Sequence, residues 1–197
     1  MDTGPTGARR GRGARERLLN SARELFQERG INTTGMDMLS AEAQVSKRTI
    51  YQHFGSKDEV VAECLRTQDL QSEPGVFART DLSPREHILA AFEPNPTSSG
   101  DPTPMCPFIR AAVEIADPEH PAREVVRTYK LSVAQHFSEL ARMAGAHDPD
   151  VLGQQLALLL DGASIRTRAL GIEMLPVAAG IARELIDRAV GFDAQPS

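Results

Sequence analysis

The stretch from Thr34 to Lys57 constrains the fold more than any other part of this 197-residue chain. Its apolar residues fall at helical spacing in two short runs with a turn between them. Met36, Leu39 and Ala43 mark one side of a first helix from about Gly35 to Glu42. Ala43-Gln44-Val45 turns the chain. Ser46 is a residue type that caps a helix N-terminus, its hydroxyl accepting a bond from a free backbone N–H. From Lys47 to Phe54 the apolar residues Ile50 and Phe54 lie one turn apart and face inward with Val45. Lys47, Arg48, Thr49, Tyr51, Gln52 and His53 stay outside. Two cations, a hydroxyl, a phenol, an amide and an imidazole on one short helix suit phosphates and base edges. The pattern predicts a helix-turn-helix.

The flanking residues supply its support. Leu18, Ala22, Leu25 and Phe26 recur at three and four residues, predicting a helix over Ala14–Arg29 that backs the motif. Gly30 terminates it, Ile31 folds back onto Phe26, and Thr34 is placed to cap the next helix. Ser56-Lys57-Asp58-Glu59 has the form of a capping box. Lys57 then sits in a first turn whose free N–H groups and positive dipole end also favour a phosphate. Val60, Val61, Cys64 and Leu65 give the apolar side of this fourth helix, with Cys64 as a small core hydrophobe. Ahead of all this, Met1–Gly13 holds Arg9, Arg10 and Arg12 and nothing apolar enough to anchor it. It reads as a disordered, solvated arm, with reach to a minor groove as the alternative.

Charge divides at the same place. Residues 1–57 carry ten Lys or Arg against six Asp or Glu, or +4; the rest carry 12 against 21, or −9, giving the net −5. A basic segment joined to an acidic body lets one part approach nucleic acid and keeps the other away. With 41% hydrophobic residues the chain has the composition of an ordinary globular protein. No apolar run reaches the ~18–20 residues of a membrane span, and no signal-peptide apolar region opens the chain. Cys64 and Cys106 make neither a disulfide framework nor a zinc site. These features predict a cytoplasmic protein with no membrane partner.

Gly30, Thr34-Gly35-Met36, Leu39-Ser40, Ala43-Gln44-Val45-Ser46, Thr49-Ile50-Tyr51-Gln52-His53-Phe54 and Ser56-Lys57-Asp58 together resemble the DNA-binding domain of the TetR family of transcriptional regulators, over about residues 14–65. Three positions depart from that pattern. Gly35 replaces a second hydroxyl, Ser40 a common Ala, and Gln44 the usual turn Gly. A positive φ at Gln44 would strain the turn. The resemblance implies that Lys47, Arg48 and Thr49 approach bases, that Tyr51 contacts a base or phosphate, and that Thr34, His53 and Lys57 hold phosphates. Ser46 and Gln52 complete the expected DNA-binding set.

Beyond Gln71 the residues predict helices but little chemistry. Ser72–Thr80 breaks the chain at Pro74 and Gly75. Ser83-Pro84-Arg85-Glu86 is a capping box with Pro at the favoured position, opening a helix through Phe92. Pro94–Pro104 is a loop. Pro107–Ala116 is short, and Asp117-Pro118 is expected to open a long helix through Ala144. Asp148-Pro149 starts a helix that is apolar around most of its circumference to Gly171, and Pro176 starts the last, to Gly191. Two helices this apolar need more than one surface to bury against. Leu156, Leu159, Leu160, Ala163, Val177, Ile181 and Leu185 are therefore expected at a homodimer interface, a four-helix bundle with two helices from each subunit. The resemblance implies the same pairing; burial of both helices in a monomer core is the alternative.

The fold class is all-α: an arm (1–13), a three-helix helix-turn-helix DNA-binding domain (14–55), a connecting helix (56–71) and a larger helical ligand-binding and dimerisation domain (72–197). The resemblance implies a repressor that binds a palindromic operator in double-stranded DNA as a homodimer and is released by a small effector; an activator or a ligand-free DNA binder is the alternative. Phe92, Met105, Phe108, Tyr129, His136 and Phe137 are candidate pocket residues, each more readily read as ordinary core, and suggest a largely apolar effector. Cys106, beside Pro107 at a helix start, is a candidate reactive thiol. No catalytic constellation, metal site or cofactor is expected. His87, His120, His136 and His147 lie at no metal spacing, and no nucleophile elbow or phosphate-cradling Gly loop occurs.

Overall fold

The computed structural model describes residues 6–68, 79, 81–94 and 102–191, with side chains from residue 13 onward. Among the described residues the regular structure is all helix: α1 (Thr6–Arg29), α2 (Met36–Glu42), α3 (Lys47–Phe54), α4 (Lys57–Arg66), α5 (Pro84–Ala90), α6 (Pro107–Glu114), α7 (Ala122–Met143), α8 (Pro149–Leu170) and α9 (Leu175–Val190). The chain packs into two units. One comprises Met1–Gln68 with Arg110–Val126, the other Asp69–Ile109 with Arg127–Ser197.

In the first unit α1 packs on α2, α3 and α4, and α3 on α2 and α4. Leu18, Ala22, Leu39, Ile50, Val60 and Val61 are buried at its centre. These are the periodic positions of four helices, so one core serves all of them. Cys64 is buried too, and burial pushes its thiol up to about 12. Helix α1 begins at Thr6, eight residues before Ala14, through part of the stretch expected to be a disordered arm. Extending a formed helix adds one bond per residue fixed, so Gly7, Gly11 and Gly13 do not stop it. Residues 1–5 of that arm lie outside the described residues.

The boundary of this unit also differs from the expected one, because a later segment is built into it. Glu114 Oε2 accepts from Ile31 N at 2.7 Å and Asn32 N at 3.0 Å, and Asn32 Nδ2 donates to Glu114 O at 2.8 Å. Buried Arg110 donates to Glu114 Oε1 at 3.0 Å and to the Gln27 carbonyl at 3.1 Å. Gly30, at φ 94°, brings its Cα under that carboxylate; a Cβ there would lie 3.1 Å from Oε1. Left-handed backbone and close approach both call for glycine. His120 Nε2 lies 3.4 Å from Asp58 on α4. Helix α7 starts at Ala122 rather than at Pro118, as Pro121 disfavours the α region at His120. His120 Nδ1 then accepts from Ala122 N at 3.1 Å.

The second unit has its own core, including Ile88, Phe92, Phe137, Leu156, Ala182 and Ile186, all fully buried. Phe92 and Phe137 stack at 6.1 Å between ring centroids. Helix α9 packs on α8 and α5. The expected capping box at Ser83 forms in both directions, with Pro84 in the first turn. Asp148 caps α8 by accepting from Val151 N, and Gly171 and Gly191 end α8 and α9 in left-handed conformation. Helices α7 and α8 meet at Gly153, where a Cβ would fall 2.2 Å from Ser138 Oγ and 2.8 Å from the Ala134 carbonyl. The expected break at 72–80 and much of the loop at 94–104 fall largely outside the described residues.

Candidate nucleic-acid interface

Helix α3 is held by two buried side chains and one cap. Ile50 and Phe54 anchor it inward. Ser46 Oγ accepts from Thr49 N at 3.1 Å and shares a hydrogen bond with Thr49 Oγ1 at 2.8 Å. At the far end the Arg15 guanidinium lies 5.4 Å from the Phe54 ring centroid and pairs with Glu63, tying α1 to α3 and α4. With the inward side fixed, Lys47, Arg48, Tyr51, Gln52 and His53 are exposed and Thr49 partly so. Tyr51 leaves 51% of its surface open, an aromatic face free to contact a partner. Ser56 caps α4 by accepting from Glu59 N at 3.2 Å, while the Glu59 carboxylate turns to Arg66 at 3.6 Å. Lys57 sits partly exposed in the first turn of α4.

The turn carries the departures seen in sequence. Gln44 has φ 52°, the left-handed region that any residue with a Cβ resists. Ser40 compensates: its hydroxyl donates to Val45 O at 2.6 Å, and its own carbonyl accepts from Val45 N at 3.1 Å. A serine in place of alanine thus staples the turn that glycine would otherwise ease. Gly35, not Thr34, is the N-cap of α2, and it makes no side-chain cap bond.

Thr34 corrects the expected site. It is 0% exposed, with Oγ1 donating to Gly30 O at 2.7 Å. The left-handed Gly30 aims its carbonyl at that hydroxyl, so the threonine closes the α1–α2 turn and its side chain is closed to a phosphate. Asp37, which sequence reasoning passed over, pairs with Lys47 across α2 and α3. Nothing in the spacing of the two residues signals that pair, because it depends on the angle of the turn.

The second unit separates its expected residues. Leu156 and Ala163 are buried in the subunit's own core, so neither is open to a second chain. Leu159, Leu160 and Leu185 are partly buried against that core. Val177 and Ile181 are exposed. The large apolar residues left open on α8 are Val151, Leu158, Ile165 and Leu170, the first three at a seven-residue spacing that sequence reasoning could have phased. Of the candidate pocket residues, Phe92, Phe108 and Phe137 are buried. Phe108 stacks face to face on Tyr129 at 3.5 Å. Met105 and His136 are partly buried, and burial with the neighbouring His87 pulls the His136 imidazole below its ordinary range. Cys106 is partly exposed, its N donating to Ser164 Oγ at 3.2 Å and its Sγ 3.9 Å from Lys130 Nζ. Among the described residues no group of three or more His, Cys, Asp or Glu could hold a metal ion, and no helix is long and apolar enough to cross a membrane.

Comparisons with known proteins agree with this geometry. The family described as bacterial regulatory proteins, tetR family, matches residues 18–64, from the buried face of α1 through α4. Among curated proteins, the transposon Tn10 TetC protein of Escherichia coli is 35% identical over 66 residues, covering 34% of each chain. The transcriptional activator FasR of Mycolicibacterium smegmatis is 38% identical over 81 residues, 40% of this chain and 37% of that one. The chain thus aligns with only about a third of the length of these two relatives. A solved TetR-type transcriptional regulator from Streptomyces avermitilis matches far more: 34% identity, 89% of this chain, 97% of that one and a TM-score of 0.75. The relatives and the fold are those of regulators, not of enzymes. With the motif, its outward-facing helix and a 34% identical relative covered almost end to end, the chain belongs to the TetR family of bacterial transcriptional regulators.

Proposed function

We propose that the protein is a ligand-responsive repressor that binds a palindromic operator as a homodimer and is released by a small, largely apolar effector. The observation that carries the DNA arm is the outer face of α3: five exposed polar or cationic side chains on a helix whose inward side is fixed by Ile50 and Phe54. The opening residues of a recognition helix enter the major groove deepest, which assigns Lys47, Arg48 and Thr49 to bases. Tyr51, Gln52 and His53 follow along the groove edge, and Ser46 and Lys57 meet flanking phosphates.

The dimer rests on apolar surface. Val151, Leu158 and Ile165 of α8 and Val177 and Ile181 of α9 are each about half exposed or more. Large apolar side chains left open on two helices that pack together favour an interface. Paired about a twofold axis, these helices would set two α3 copies one duplex turn apart, about 34–36 Å. The effector arm rests on the aromatic side chains of the second unit, among them the Phe108–Tyr129 stack. An effector that favours a wrongly spaced dimer lowers DNA affinity, and by linkage DNA lowers effector affinity equally. A coupling of about 1–3 kcal/mol corresponds to roughly 5–150-fold release. Activation is the second reading, favoured by the likeness to FasR, itself named an activator.

The test is a titration of the purified protein with DNA from upstream of its own gene. A salt-sensitive, sequence-selective complex is expected, weakened by Tyr51→Ala or Lys57→Ala with no change in the protein's mass in solution. Binding indifferent to sequence, or both variants binding as tightly as the wild type, would sink the assignment of this face. Lipophilic compounds added to the complex test the effector arm, and failure of a broad panel to release DNA would favour the ligand-free mode.

A further inference from the structure

Phe108 and Tyr129 lie ring on ring, with 3.5 Å between centroids and 3° between planes. Aromatic rings do not favour that arrangement. Each face carries the negative side of the ring quadrupole, so paired rings settle offset or edge-to-face, with centroids about 4.5–7 Å apart. Phe92 and Phe137, in the same unit, keep to that range at 6.1 Å. Phe108 is buried whereas Tyr129 is only partly so, which leaves one ring fixed and the other near solvent. Beside them stands an ammonium whose charge is already offset. Lys130 Nζ is 5.9 Å from the Tyr129 ring centroid, 2.6 Å from Asp161 Oδ1 and 3.9 Å from Cys106 Sγ. Sulfur is a weak acceptor, so the donor facing it exchanges readily for an oxygen. Cys106 N donates to Ser164 Oγ at 3.2 Å, tying the chain just ahead of Phe108 to α8.

We propose that the Phe108–Tyr129 stack is a closed ligand slot that takes a neutral, flat aromatic ring carrying a conjugated carbonyl. That this ligand is the effector rests on the ligand-responsive reading given above. Tyr129 swings outward and the ring enters between the two faces, which then stand about 7 Å apart, twice the contact distance of carbon atoms. A carbonyl withdraws electron density from its ring. The inserted ring is therefore complementary to the electron-rich faces of Phe108 and Tyr129, and one poor contact gives way to two good ones. Its oxygen takes the Lys130 donor that faced Cys106 Sγ. Asp161 sets the charge of the ligand. A carboxylate would be drawn by Lys130, repelled by Asp161, and left short of the hydration it gave up. The simpler role for the stack is ordinary core packing, which predicts effects of substitution on stability and no pattern among ligands.

The experiment titrates the full-length protein with four probes, followed by proton NMR of the probe. Methyl naphthyl ketone has the proposed chemistry. Ethylnaphthalene lacks the acceptor, naphthoate is charged, and methyl decalyl ketone is not flat. The naphthyl ketone is expected to bind about tenfold more tightly than ethylnaphthalene, the worth of a hydrogen bond from a charged donor. Its ring protons should move upfield, as between two aromatic faces. Lys130→Met should remove the preference for the ketone, and Asp161→Asn should turn it toward naphthoate. Tyr129→Leu should cut affinity for the ketone about 2–10-fold and abolish the upfield shift, while Tyr129→Phe keeps both. Melting curves establish that each variant is folded, and the Lys130 and Asp161 arms stand if Tyr129→Leu is not. Equal binding of ethylnaphthalene or the decalyl ketone, a preference indifferent to Lys130, no upfield shift, or no binding by any probe would each overturn the proposal. A DNA titration alongside separates it from the wider reading. If the ketone binds in this pattern and releases no DNA, the slot stands and its role as the effector site falls. If the pattern fails while another lipophilic compound releases DNA, this inference alone falls.

Discussion

Helices α3 and α8 both leave large side chains in the open, and the difference between them is chemical. On α3 the exposed residues are Lys47, Arg48, Tyr51, Gln52 and His53, groups already solvated by water and able to exchange it for phosphates and bases. On α8, beside exposed Gln154, Gln155, Arg166 and Arg168, they include Val151, Leu158, Ile165 and Leu170, which gain nothing from water and favour being covered. The first surface suits a partner that comes and goes with salt and sequence. The second suits a partner that stays. In each case the side facing the chain's own core is as apolar as the fold requires, so burial within the chain does not distinguish the two helices. What the outer side is made of does.

Four substitutions would break or sharpen that contrast. Leu158→Glu places a charge at the most exposed of these apolar side chains and is expected to break the proposed dimer. Losing the second recognition helix removes an avidity of about 10²–10⁴-fold, so DNA affinity should collapse although α3 is untouched. Mass in solution and a DNA titration read this together, and a dimer that survives the glutamate would put the pairing surface elsewhere. Next in size is Gly153→Ala, which forces a methyl against Ser138 and the Ala134 carbonyl. Overpacking of this kind costs about 1–3 kcal/mol or more, read as a lower thermal midpoint. Little change would mean that α7 and α8 part easily.

Arg48→Ala tests the polar helix alone. If Arg48 reads guanine through both nitrogens, discrimination among operators should fall by about 1–3 kcal/mol per half-site while dimer mass is unchanged. Uniform weakening across all sequences would make it a phosphate contact instead. The smallest effect is expected at Gln44→Gly. Relieving a φ of 52° should stabilise the protein, but by less than about 1 kcal/mol, because glycine gains freedom in the unfolded chain and Ser40 already staples the turn. A denaturant melt resolves the sign.

Local chemistry was legible in the sequence, and distant chemistry was not. Ser46, Ile50 and Phe54 define α3 by spacing and cap alone, and Ser83 with Glu86 does the same for α5. Thr34 misleads because the direction of its hydroxyl is decided by the Gly30 carbonyl, four residues back. The start of α7 was misplaced because Asp117-Pro118 is a sound start signal, yet Pro121 overrides it. In α8 an all-round apolar sequence offers no polar face to phase the helix, so Leu156 and Leu158 look alike until one is found buried and the other open. The Asp37–Lys47 pair depends on how two helices cross, which no periodicity encodes.

Glu114 shows how far the first unit reaches along the chain. Its carboxylate accepts from two backbone N–H groups that lie 83 and 82 residues earlier. A gene truncated after Gln68 would encode all four helices of the motif yet omit the acceptor for Ile31 and Asn32 and the guanidinium that caps the Gln27 carbonyl. Anyone excising a minimal DNA reader from this chain therefore has to splice residues 110–126 back in, or replace the clasp with a designed anion beside Gly30.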